Sequence, residues 1–130
     1  DVNIVEGRIE AREGGRLRVA TQGAGMLTAL APRDLGDAAD VCVAIRPEKI
    51  RLSQRAPADH AGAATINRLE GTIAGVNYLG SVSSYTIALD GGATLRASLA
   101  NAARVSADAY AAGQRVTVWF APDDCIVLDR

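Results

Sequence analysis

The chain is poor in the residues that most often carry enzyme chemistry. It has one histidine, His60, and two cysteines, Cys42 and Cys125, among 130 residues. A structural zinc site needs four such ligands brought together, and the supply falls short. A serine or cysteine nucleophile needs a neighbouring base, so any triad would rest on His60, which lies in a polar stretch. Lys49 is the only lysine and follows Glu48. The phosphate-cradling Gly-x-x-x-x-Gly-Lys loop is therefore missing, and no Gly-x-Gly-x-x-Gly run leads from a strand into a helix. Aromatic residues make up 4% of the chain. Trp119 and Phe120 are adjacent and so face opposite sides of a strand. A groove for single-stranded nucleic acid needs several aromatics interleaved with basic residues. No apolar run approaches the roughly 18 residues that span a bilayer.

What is present suits a small globular unit. Apolar residues form 48% of the chain, enough for a core, and 130 residues suit one domain or two closely packed lobes. The 14 basic and 15 acidic residues are interspersed, with a net charge of −1, so the basic footprint of a nucleic-acid binder is lacking. All basic residues but Lys49 are arginine, which with the abundant alanine fits a compositional bias of the genome. Met26 is the only methionine and the chain opens at Asp1. The expectation is a piece of a longer polypeptide. Both cysteines are expected as free, half-buried thiols.

The clearest pattern is a strand–proline–strand figure that occurs twice. Val43 and Ile45, then Ile50 and Leu52, alternate with other residues on either side of Pro47. Pro47 fixes its own φ and keeps Arg46 extended, which stiffens the corner. Val116 to Leu128 repeats the figure around Pro122, and each copy is preceded by an E-G-x-I segment, at Glu6 and at Glu70. Glu13-Gly14-Gly15 and Asp90-Gly91-Gly92 read as hairpin turns. Gly80-Ser81 reads as a break or bulge. Residues 100–113 allow one or two helical turns. Asp123 and Asp124 read as caps of the turn after Pro122 rather than as a carboxylate pair with Glu70. The pattern predicts an all-β barrel with at most short helical turns. It is built from two related units, at about 3–53 and 66–130, joined by a linker at about 54–65.

These segments together resemble a known family. VCVAIRPEKIRLS at 41–53 is similar to the signature of the TOBE-type domain of ABC importer ATPase subunits. NIVEGRI at 3–9 resembles the segment where that domain begins. EGTIAGVNYLGSVSSYTIALDGGATLRA at 70–97 resembles its second half in the spermidine/putrescine branch, and VTVWFAPDDCIVLD its closing strands. The resemblance implies an OB-fold-like barrel of the TOBE/MOP type. It implies a regulatory and dimerisation role beside an ATPase domain of the same chain, at the cytoplasmic face of the inner membrane and in complex with membrane subunits. ATP and magnesium would belong to that ATPase domain, and no cofactor, metal or catalytic residue is expected in this segment. Arg46, Pro47 and Glu48 are the interface candidates. Tyr78, Leu79, Gly80 and Ser81 mark where a ligand would approach backbone. A small-molecule regulator is a possible partner and nucleic acid is not. The alternative is a small-ligand or oxyanion-binding module of the molybdate type, with Ser81, Ser83 and Ser84 converging on the ligand.

Overall fold

The computed structural model describes residues 2–54, 66–100 and 110–129. Ten strands follow one another: β1 Asn3–Glu13, β2 Arg16–Thr21, β3 Met26–Leu30, β4 Asp40–Ile45, β5 Arg51–Ser53, β6 Asn67–Tyr78, β7 Val82–Leu89, β8 Thr94–Ala100, β9 Arg115–Phe120 and β10 Cys125–Asp129. Single 3₁₀ turns at Pro47–Lys49 and Pro122–Asp124 are the only helical elements among the described residues. Most of the linker segment, His60, and much of the 100–113 stretch lie outside those residues.

The strands form two five-stranded sheets with all pairings antiparallel, ordered β10-β4-β1-β2-β3 and β5-β9-β6-β7-β8. The two orders are the same figure with one exchange. Each unit gives its fifth strand to the other unit's sheet, so β5 pairs with β9 and β10 with β4. The two proline corners make the crossing. At each, a proline that cannot donate to a ladder interrupts the strand and turns the chain towards the opposite sheet. Arg46 is extended, with φ −72° and ψ 138°, as a residue before proline should be.

Alternating apolar residues fill the space between the sheets. Leu17, Val19, Leu27, Ile45, Ile50, Ile73, Ile87, Leu95, Val118 and Phe120 are almost completely buried. Each contributes on the order of 1.5–3 kcal/mol relative to exposure. Phe120 lies in this core and Trp119 is half-buried on the outer side, as their adjacency in a strand requires. On β7 the buried set is Ser83, Tyr85, Ile87 and Leu89.

Several devices appear once in each unit. Gly7 and Gly71 sit where the paired strands close up. A Cβ on Gly7 would lie 2.6 Å from Val19 Cγ1 and 2.9 Å from the Ala20 carbonyl oxygen, and one on Gly71 would lie 2.8 Å from the Ala88 oxygen. This is why both E-G-x-I segments carry glycine. A register shift follows each, between Ile9 and Ala11 and between Ile73 and Gly75. Gly80-Ser81, expected as a break or bulge, is a break between strands and forms the tip of the β6–β7 turn. Leu79 N–H donates to the Val82 carbonyl at 2.8 Å and Gly80 has φ +80°. A bulge falls earlier, between Ile73 and Gly75 in the pairing of β6 with β7.

Two buried asparagines tie the sheets together. Asn3 donates from Nδ2 to the Arg96 carbonyl at 2.9 Å and accepts from the Arg96 N–H at 2.7 Å. Asn67 does the same to Thr28, at 3.0 and 2.8 Å. Each side-chain amide thus replaces a strand partner for β8 or β3, which are edge strands of their sheets.

Candidate functional site

The proline corners also shape the surface. The Pro47–Lys49 turn is closed by Lys49 N–H donating to the Arg46 carbonyl at 2.9 Å, and it packs against β8. Pro47 is buried, whereas Arg46 and Glu48 are exposed. Between this corner, the start of β1, β10 and the outer face of β7–β8 lies an open groove of about 620 Å³. Arg46, Pro47 and Glu48 form one side, and Leu79 reaches it from the β6–β7 turn. The first corner and the second-half step, far apart in sequence, therefore meet at one place.

The groove has a mixed lining. Val2, Leu79 and Ile126 are its apolar residues and are 45%, 58% and 43% exposed. Ser84, Ser98 and Arg96 form a polar wall on β7 and β8. Ser84 and Ser98 are direct partners on β7 and β8, and Asn77 on β6 extends their row. Arg96 is two residues along β8 from Ser98, so both point outward. The Asn3 clamp fixes the Arg96 backbone and with it this wall. A smaller hollow of about 210 Å³, also lined by Val2, Pro47 and Arg96, continues the groove towards Thr94.

Tyr78, Gly80 and Ser81 are exposed at the turn, beside the groove rather than in its lining. The convergence expected of three serines is not found. Ser83 faces the core and is 1% exposed, Ser81 sits at the turn, and only Ser84 lines the groove. Strand alternation separates Ser83 from Ser84 by construction. Val2, Arg96, Ser98 and Ile126 were not singled out by sequence. The outward alternation of Arg96 and Ser98 with Leu95 and Ala97 was visible, but the strand exchange that brings Ile126 beside them was not.

The perturbed titratable groups among the described residues lie elsewhere. Hydrogen bonds from Arg115, at 2.6 and 2.8 Å, hold the Asp90 carboxyl below its usual range. Burial, with Asp124 adding to it, pushes the Cys125 thiol up to about 12. Both cysteines are free, Cys42 partly exposed and Cys125 buried. Asp124 accepts from the Ala121 N–H at 3.1 Å, and Glu70 accepts from the Thr117 hydroxyl. These acids are a turn cap and a strand-to-strand contact. Among the described residues no three His, Cys, Asp or Glu side chains are placed to hold a metal, and no helix is long and apolar enough to cross a membrane.

Fold and groove together define a two-sheet β barrel of interlocked halves, with an open groove at a seam between them. The family model described as the TOBE domain matches residues 43–128, and the chain belongs to that family. It is 32% identical over 88% of its length to the spermidine/putrescine import ATP-binding protein PotA 2 of Pseudomonas aeruginosa, covering 30% of that protein. It is 34% identical over 97% of its length to PotA of Rubrobacter xylanophilus, covering 31%. It is 32% identical over 98% of its length to the putrescine transport ATP-binding protein PotG of Escherichia coli, covering 33%. The chain thus spans about a third of these relatives. In fold it is similar to the cytoplasmic molybdate-binding protein ModG, solved with molybdate bound. The TM-score is 0.79 at 21% identity, covering 98% of this chain and 96% of that one.

Proposed function

We propose that this chain is the non-catalytic regulatory domain of an ABC importer ATP-binding subunit, and that the importer takes up a polyamine. The observation that carries this is the match, over nearly the whole chain, to polyamine import ATP-binding proteins at 32–34% identity. On this reading the ATPase domain of the same polypeptide binds ATP and magnesium, and the membrane subunits carry the solute. The domain pairs with a second copy at the cytoplasmic face of the inner membrane. The Arg46-Pro47-Glu48 corner suits a contact with the ATPase domain or the second copy. It is rigid, it presents two opposite charges, and its proline is anchored in the core. Uptake of labelled putrescine by cells carrying the full-length transporter, set against sulfate and maltose, tests the solute. Arg46→Ala and Gly80→Val in the full-length chain test the regulatory role. Wild-type dimer mass together with wild-type control of transport in both variants would remove it.

A second reading, a small-ligand module, is favoured by one observation: the groove of about 620 Å³ has the size of a small-molecule site.

A further inference from the structure

We infer that the outer face of β10, β4 and β1 is a docking surface for the ATP-binding part of the same polypeptide. This rests on the reading of the chain as one domain of an importer ATP-binding subunit, and is independent of the solute and of any ligand in the groove. Strand pairing sets Ile126, Ala44 and Ile4 side by side on this face, and Leu128 follows Ile126 on the same side of β10. Val2 adjoins them, sharing one hollow with Ile4 and the groove with Ile126. Val2, Ile4, Ile126 and Leu128 are four of the eight large apolar side chains that the described residues leave exposed. Single exposed apolar residues are ordinary on a protein surface, whereas half of them gathered at one face mark a surface that something covers. The fold does not require them. Arg51, Trp119 and Arg68 stand at the matching positions of the other sheet, so the same strand frame accepts charged side chains there.

Length, chain path and patch size point to the occupant. The chain spans 30–33% of the ATP-binding proteins it is similar to, and on the proposed reading the remainder holds the nucleotide site. Both ends of the described residues open on this face. Val2 leads into β1 and Asp129 ends β10, and these two strands flank β4. Whichever end leads on, the rest of the polypeptide starts out beside the apolar row. The row itself is short. A stable complex of separate molecules takes about 20–30 residues from each partner. Parts of one polypeptide joined by a short tether meet at an effective concentration on the order of millimolar, so a smaller contact holds them. A row of this size therefore suits a tethered partner better than a second copy.

The test uses Cys42, which lies on this face between Leu128 and Glu6 and is partly exposed. The full-length subunit is treated with a thiol reagent at pH 8, and its digests are read by mass spectrometry. Cys42 is expected to react slowly in the wild type. Ile4→Arg and Ile126→Arg are each expected to speed its reaction by about tenfold, because a charge forced into an apolar contact opens it. Both side chains are exposed, so neither variant disturbs the core, and continued protection of the buried Cys125 confirms that the barrel is folded. Met26→Arg is the control. Met26 is exposed too but lies on β3, at the other edge of the sheet, and its replacement should leave the Cys42 rate unchanged. Equal Cys42 rates in the wild type and in both isoleucine variants would overturn the docking surface. Protection that fades on dilution would overturn it as well, since that is the mark of a second copy. The two readings fail separately. A full-length subunit that hydrolyses no ATP removes the ATPase reading and the docking with it. One that hydrolyses ATP while Cys42 reacts as fast as in the variants removes the docking surface alone.

Discussion

The two halves share a skeleton but differ on their outer faces. Across β10, β4 and β1 the outward row is Ile126, Ala44, Ile4, with Ile4 58% exposed. The matching row across β5, β9 and β6 is Arg51, Trp119, Arg68, with the Arg51 guanidinium 5.7 Å from the centre of the Trp119 ring. The next rows are Leu128, Cys42, Glu6 in one sheet and Ser53, Thr117, Glu70 in the other. One face covers its central aromatic with the long stems of charged side chains. The other leaves isoleucine and leucine bare beside an edge strand. Inside, the positions correspond in kind, because both halves fill one shared core. The difference teaches that the fold constrains the inner positions of each repeat and leaves the outer ones free to specialise. Ile126 of the bare row also lines the groove, which lies at the seam and is lined from both halves.

The largest expected effects test the shared skeleton. Asn3→Ala and Asn67→Ala each leave a backbone N–H and C=O of the facing edge strand without their side-chain partner. The cost of such unsatisfied groups is about 1–3 kcal/mol. If the halves are equivalent in their interior, the two variants should lower the unfolding free energy by similar amounts in urea melts. They should differ in one respect. Asn3 holds the Arg96 backbone, so Asn3→Ala should shift the amide resonances of Ser84, Arg96 and Ser98, and Asn67→Ala should leave them in place. Equal effects on these resonances would mean that the clamp does not position this wall.

Much of this skeleton was legible in the sequence because its signals are local. Strand alternation around Pro47 and Pro122, the glycine turns and the repeated E-G-x-I segments gave the strands and the two-unit plan. The reason for the glycine in each E-G-x-I segment came only with the structure, where the close strand contact at Gly7 and Gly71 leaves no room for a Cβ. The exchange of β5 and β10 was not legible. A proline corner says that the chain turns, but which sheet the next strand joins depends on contacts more than 60 residues away. The groove was half-legible for the same reason. Arg46, Pro47, Glu48 and Leu79 belong to local motifs, whereas Val2, Arg96, Ser98 and Ile126 become neighbours only through sheet order. The expected cluster of serines failed because consecutive strand residues face opposite ways.

A smaller effect separates the two cysteines, which lie on neighbouring strands β4 and β10. Cys125 points into the core and Cys42 to the outer face. A thiol reagent at pH 8 should label Cys42 and spare Cys125 until the chain unfolds, with mass spectrometry of digests as the readout. Burial raises the folded-state pKa of Cys125 from 9.0 to about 12. The folded state therefore holds its proton where the unfolded state has lost it. Its contribution to stability is complete below pH 9 and is lost as the pH rises from 9 to 12, by at most about 1.4 kcal/mol per unit. Cys125→Ser should flatten that alkaline decline, and Cys42→Ser should leave it in place. Equal labelling of both thiols in the folded chain would contradict the placement of β10.

The smallest effect concerns surface charge at matching positions. The strand pair Arg8 and Asp40 corresponds to Thr72 and Arg115, so the arginine changes strand between the halves. Arg8 and Asp40 make a single contact at 3.8 Å. Arg115 instead turns to Asp90 and binds both carboxylate oxygens, while also donating to the Thr72 hydroxyl at 3.1 Å. Both pairs are well exposed, so neither is a large source of stability. Two aligned hydrogen bonds should nevertheless couple more firmly than one long contact. Double-mutant cycles with Asp90→Asn and Arg115→Gln, and with Asp40→Asn and Arg8→Gln, are expected to give the larger coupling for the Asp90 pair. Both couplings should shrink as salt rises. The acid side gives a further sign. Hydrogen bonding to Arg115 holds the Asp90 carboxyl below its ordinary value of 3.8. Its contribution is thus present above that value and is lost as the pH falls through the depressed folded-state pKa. Asp90→Asn should remove this part of the acid sensitivity. Equal coupling in the two pairs would show that bidentate geometry makes no difference at this degree of exposure.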